Sequence, residues 1–297
     1  MKRLVTTALI KTLRLINHLP LDTQIWVGKL LGLLLYRVSK KRRNVAKVNI
    51  NLCFPNLDID ARDSLVRDTF IDNGIGIIET GMAWWSNPES FRERTHFEGL
   101  EHLEDALSQG RGAIILGAHY STLDLGGLLF SLFHPLSAMY RPHNNPVIER
   151  VMKKGRLRCI DQLIDRRDFR TVLRQLKDNR VIWYAPDQDF GPQSSVFVPF
   201  FGVKAATVTA TARLAKISRA PVMLLSHHRT EDNRYVLRLH RPLAPFPLTT
   251  EEESAHAVNR ALEQGISYAP SQYMWVHRRF KSVPEIAALY QQQNTLR

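Results

Sequence analysis

The sequence predicts an α/β fold, with a central, mostly parallel sheet flanked by helices and an N-terminal membrane-associated helical segment. Three observations predict it. Short apolar runs recur at 113–116, 137–140, 159–163, 181–184, 221–226 and 235–239. Helical patterns at 121–133, 145–156, 168–178 and 207–218 fall between them, with another at 251–267, and such alternation builds parallel β-α-β layers. The first 50 residues form a separate pattern, apolar and with eleven basic side chains against one acid, Asp22.

In the leading segment, Leu4, Ala8, Leu9, Thr12, Leu13 and Ile16 fall close to one helical face, with Lys11 and Arg14 off it, and Pro20 ends the helix. Residues 25–36 are denser in apolar side chains but contain Gly28, Lys29 and Gly32. Twelve residues rise about 18 Å, short of the ~30 Å hydrocarbon core, which predicts an interfacial or partly inserted helix pair. Trp26 and Tyr36 flank the second helix as interfacial aromatics do. Lys40, Lys41, Arg42 and Arg43 would hold that end on the cytoplasmic side. The expected division is 1–45 as membrane-associating helices and 46–297 as the catalytic domain. Within the latter, 60–84 reads as helix, Trp84, Trp85 and Asn87-Pro88 mark a break, and Glu231-Asp232-Asn233 turns the last two strands into a hairpin.

Composition removes several classes. With 44% hydrophobic and 23% charged residues the chain is not disordered. Two cysteines, Cys53 and Cys159, cannot make a disulfide framework or a four-thiolate zinc site. Most of the net charge of +13 sits on the apolar N-terminus rather than across the folded domain, which points to a membrane with anionic headgroups rather than to nucleic acid.

Ligands of such sheets bind at the carboxyl ends of the strands, where His119, Arg141, Asp187 and Asp189 fall. His119 and Asp124 flank the junction between the run 113–116 and an apolar helix. Five residues apart on one helix they would point about 140° apart, so pairing requires His119 in the preceding loop, folding back onto Asp124. That carboxylate would then fix one tautomer and leave the other ring nitrogen to accept a proton. There is no G-x-S-x-G elbow and no cysteine near a suitable histidine, so the attacking hydroxyl is expected to come from a substrate.

Several segments carry a resemblance. Arg43-Asn44 with Asn51-Leu52-Cys53-Phe54-Pro55, the His119-x4-Asp124 box, Tyr140-Arg141-Pro142 with Asn145-Pro146, the run 183–199 beginning Trp183-Tyr184-Ala185-Pro186-Asp187-Gln188-Asp189, and 272–281 all resemble the lipid A biosynthesis acyltransferases, the late lauroyl/myristoyl transferases of Gram-negative bacteria. The resemblance covers nearly the whole chain. It implies transfer of a fatty acyl group from an acyl carrier protein thioester to a hydroxyl on a hydroxyacyl chain of a lipid A precursor, at the cytoplasmic face of the inner membrane. It further implies His119 as general base, Asp124 as its orienter, no covalent acyl-enzyme and no cofactor. Many members have Glu where this chain has Asp124, and the shorter carboxylate serves the same role in related glycerolipid acyltransferases.

Other residues are weighed beside that reading. Arg141 suits a phosphate or phosphopantetheine. Residues 141–180 hold twelve Lys/Arg against five acids, including Arg166, Arg167 and Arg170, a face that could receive an acidic carrier protein or a phosphorylated glycolipid. Asp187-x-Asp189 reads as a rigid turn or a polar substrate contact ahead of a metal site. The rival functions are a lysophospholipid or glycerol-phosphate acyltransferase, a metal-dependent transferase, and a non-catalytic membrane-binding protein.

Overall fold

The computed structural model describes residues 2–292. Helices α1 (Lys2–Ile16), α2 (Leu21–Val38), α3 (Lys40–Cys53) and α4 (Ile59–Trp85) precede the sheet. Then follow β1 (Thr95–Glu98), α5 (Leu100–Leu107), β2 (Ala113–Leu116), α6 (Leu123–Ser131), β3 (Ser137–Tyr140), α7 (Pro146–Arg156), β4 (Gln162–Asp165), α8 (Phe169–Lys177) and β5 (Val181–Tyr184). The chain continues through β6 (Ser195–Phe200), β7 (Val203–Val208), α9 (Ala210–Ser218), β8 (Val222–Arg229), β9 (Tyr235–Leu239), α10 (Glu251–Ser267) and α11 (Pro284–Gln292).

The seven-stranded sheet has the order β1-β9-β8-β2-β5-β3-β4, parallel except where the β8–β9 hairpin runs antiparallel. β2 sits at its centre because all four of its residues, Ala-Ile-Ile-Leu, are apolar and can be buried on both faces. Ala113 and Ile115 join the core under α4–α7, while Ile114 and Leu116 join the opposite core, under α8–α10 with α3 and α11. Runs 113–116, 137–140, 181–184 and 235–239 are strands at the expected limits. The run 159–163 is displaced: β4 begins at Gln162, and Ile160 is core in the preceding loop. Residues 207–208 end β7 instead of starting α9, and β1 and the separate β6–β7 hairpin were not among the expected strands, although 196–201 is an unbroken apolar run.

The N-terminal helices depart furthest from the one-face pattern. In α2, Gln24, Ile25, Gly28 and Gly32 turn inward onto α4. A Cβ on Gly74 of α4 would lie 2.3 Å from the Gly32 nitrogen and 2.4 Å from the Gly28 oxygen, so these glycines let the two backbones touch. They are packing contacts, not interruptions of a membrane stretch. The outer side of α2 leaves Trp26, Leu30, Leu34 and Val38 exposed. In α1 the expected face is split, with Leu13 and Ile16 against the core and Leu4 and Leu9 exposed. The basic run 40–43 is the first turn of α3, so a division at 45/46 cuts through that helix. Asn49 of α3 donates to the Trp275 and His277 carbonyls at 2.6 and 2.7 Å, tying it to the C-terminal segment. Among the described residues no helix is long and apolar enough to cross a membrane.

Candidate active site

β2 and β5 are parallel neighbours, with Leu116 opposite Tyr184. Their carboxyl-end loops therefore emerge side by side, and the Gly117 amide continues the ladder to the Tyr184 carbonyl at 3.0 Å. His119 lies three residues beyond Leu116, and Asp187 three beyond Tyr184. The register brings them together: His119 Nδ1 is 2.7 Å from Asp187 Oδ1, and the His119 backbone amide donates to Oδ2 at 3.0 Å. Asp187 is 1% exposed. His119 Nε2 has no protein partner among the described residues, and the side chain lines a cavity of about 860 Å³.

The loop is fixed from two further directions. The Met274 amide donates to the His119 carbonyl at 3.0 Å, and the Ser121 amide donates to the Gln272 carbonyl at 2.6 Å. The Gln272 side chain in turn bonds both backbone groups of Arg229 on β8, at 2.7 and 2.8 Å. The motif 272–281 thus acts as a strap across the loop.

Burial opposes a charge on His119, and Arg156 opposes it further, but the Asp187 charge and hydrogen bond outweigh both and raise its pKa. Burial would raise Asp187, yet His119 and the buried Arg279 hold its carboxyl at about 2. With Asp187 ionised and accepting from Nδ1–H, the proton-accepting nitrogen is Nε2, facing the cavity.

The bond expected between His119 and Asp124 is not formed. Asp124 is in the first turn of α6, and its side chain turns away to accept from Trp84 Nε1 at 2.7 Å and from Arg156 Nε and Nη2 at 2.9 and 2.5 Å. Asp124, Arg141, Arg156 and Arg166 all line the same cavity. Arg141 is exposed at its rim, and the Arg166 guanidinium lies 5.4 Å over the Phe190 ring. Asp189, by contrast, is turned into the protein. It accepts from the Gly191 amide at 2.9 Å and from Ser282 N and Oγ at 2.8 and 2.7 Å, the arrangement of a rigid turn.

Sequence reading did not single out Asp187 as the partner of His119, nor Trp84 and Arg156 as partners of Asp124. Asp187 was visible as a strand-end residue within a family motif and as a turn or polar substrate contact; its pairing with His119 needs the strand register. Arg156 was one of many basic residues in its segment.

Comparison with known proteins agrees over nearly the full length. Residues 1–282 match the family model described as bacterial lipid A biosynthesis acyltransferase. The lipid A biosynthesis lauroyltransferase of Escherichia coli is 40% identical over 278 residues, covering 93% of this chain and 91% of that protein. The palmitoleoyltransferase of the same organism is 36% identical over 269 residues, with 90% and 88% covered, and its myristoyltransferase 28% identical over 255, with 85% and 79% covered. With His119 facing a largely apolar cavity and the family motifs spread along the whole chain, this protein belongs to the bacterial lipid A biosynthesis acyltransferases.

Proposed function

We propose that this enzyme adds a secondary fatty acyl chain to a lipid A precursor, taking it from the thioester of an acyl carrier protein. The observation that carries the reading is the His119 ring, bonded through Nδ1 to a buried carboxylate and open through Nε2 to a cavity whose walls are mostly apolar side chains. In the proposed reaction the acceptor hydroxyl gives its proton to Nε2 as its oxygen attacks the thioester carbon. Collapse of the intermediate forms the ester and expels the thiolate, which takes the proton back from Nε2. Asp187 orients the imidazole and stabilises the imidazolium. Asp124 acts one step away, holding Arg156 in the cavity wall while it accepts from Trp84 behind it. Arg141, Arg166 and Arg167 at the rim offer cationic partners for phosphate, on the glycolipid or on the donor's phosphopantetheine. No group beyond these side chains is required for the proton transfers.

The exposed Leu4 and Leu9 of α1 and Trp26, Leu30 and Leu34 of α2, together with the basic first turn of α3, suit contact with an anionic bilayer surface on the cytoplasmic side. The acceptor would then be presented at the layer where the soluble carrier protein arrives.

Purified enzyme supplied with acyl carrier protein thioester and the under-acylated glycolipid should give a product heavier by one acyl group by mass spectrometry. His119→Ala should lower that rate by about 10²–10⁴-fold while the protein stays folded. Near-normal transfer by this variant removes the mechanism. Preferential acylation of a lysophospholipid or glycerol phosphate replaces the acceptor.

A further inference from the structure

The cavity holds a second histidine that the mechanism above leaves idle. His227 lies on β8 two residues after Leu225, so both side chains point to the sheet face beneath α6, and both line the cavity. His227 is 4% exposed. Its Nδ1 is 2.8 Å from Thr122 Oγ1, while Nε2 has no protein partner among the described residues. The ring also meets Tyr120 edge-on, centroids 4.8 Å apart, so it is tied to the two residues that flank the His119 loop and begin α6. Room for it is made by Gly126: a Cβ there would stand 2.5 Å from Cε1 and 2.6 Å from Nε2.

The hydroxyl fixes the tautomer. Thr122 is 1% exposed, makes no side-chain cap to α6, and has His227 Nδ1 as its side-chain partner. A buried hydroxyl proton needs an acceptor, and here that acceptor is Nδ1. The ring hydrogen must then be on Nε2, where it faces the cavity as a donor. Burial, with His228 nearby, pushes the His227 pKa down to about 3, so the ring is a neutral donor that does not compete with His119 for the proton. An unpaired buried N–H is costly unless something in the cavity accepts from it. A fatty acyl thioester has one oxygen, its carbonyl, at the reacting carbon; the rest of the chain is hydrocarbon.

We propose that His227 is a second catalytic residue, its Nε2–H donating to the carbonyl oxygen of the acyl thioester and to the oxyanion formed when the acceptor hydroxyl attacks. This rests on the acyl-transfer reading above. As the new C–O bond forms, the C=O electron pair moves onto that oxygen and is held by Nε2–H, while the hydroxyl proton passes to His119. When the C–S bond breaks, the pair returns to the carbonyl and the thiolate leaves with the proton from His119. His227 gives up no proton at any step.

The test uses the full chain and two donor analogues, one a ketone with CH2 in place of sulfur, the other a thioether with CH2 in place of the carbonyl. Wild type should bind the ketone more tightly than the thioether. His227→Leu should lower kcat by about 10²–10³-fold with KM for the donor little changed, and should bind the two analogues alike. His227→Gln, which restores an N–H, should recover part of kcat. The proposal is overturned if His227→Leu keeps kcat within about threefold of wild type, or still prefers the ketone as wild type does. Should the leucine variant fail to fold, equal binding of both analogues by wild type overturns it. Absence of any transfer by wild type from a carrier thioester is a separate result, visible before a variant is made, and overturns the reading on which the proposal rests.

Discussion

Two carboxylates, one buried and one half-buried, stand at a strand end and a helix start and do opposite things. Asp187, in the loop after β5, is bonded to a ring that can change charge. Asp124, in the first turn of α6, is bonded to a guanidinium and an indole, which cannot. The same functional group therefore sets a proton affinity in one place and a shape in the other. A carboxylate is a tuning device only where its partner titrates near working pH; beside arginine it is a fixed strut.

Removing the charge from each separates the two roles. Asp187→Asn should have the larger effect on rate, about 10²-fold or more, because the amide neither stabilises the imidazolium nor enforces the Nδ1–H tautomer. The pH profile supplies the sign. Asp187 raises the His119 pKa, so its loss lets burial pull that pKa down and moves the acid limb of kcat/KM to lower pH. Stability should follow the same pair. Asp187, lowered from 3.8 to about 2 in the fold, contributes above about pH 4 and loses its contribution as pH falls towards 2. His119, raised in the fold, contributes fully below 6.5 and loses its contribution as pH rises through its folded pKa. Denaturant melts of wild type and Asp187→Asn should therefore differ most between about pH 4 and 6.5, and less above. An acid limb unmoved by the substitution would break the comparison.

Asp124→Asn should act on stability first. It leaves Arg156, 22% exposed at its side chain, without its carboxylate, at a cost of about 2–3 kcal/mol, below the full value for a wholly buried pair because solvent still reaches the guanidinium. Rate should fall through displacement of the cavity wall, and the acid limb should move to lower pH by less than in Asp187→Asn, because Arg156 loses its counter-charge. A shift of that limb as large as in Asp187→Asn would make the two carboxylates equivalent.

Asp189→Asn should be the mildest. Its oxygens brace Ser282 and the Gly191 turn and none faces the cavity, so about 1–2 kcal/mol of stability and no more than about threefold in rate are expected. Thermal melting and a standard transfer assay measure both.

Much of this molecule is legible along the chain. Short apolar runs and helical patterns between them found four strands at their observed limits and the long helices α4 and α10, because these signals are local. Position at the end of a central apolar strand made His119 a candidate, and the family resemblance made it the expected base. Local pattern was weak at the sheet edges, where β4 was displaced and β1 was missed; the β6–β7 hairpin was missed although β6 lies in an apolar run. Contact between distant segments lay outside its reach altogether. That the glycines of α2 seat α4 was not visible along the chain, and the carboxylate five residues after His119 was not the one it bonds. Asp187 is 68 residues away, and only the pairing of β2 with β5 carries both loops to one place. Sequence fixes residue chemistry and local direction; which groups then meet is decided by register and packing between elements, a long-range property no local period encodes.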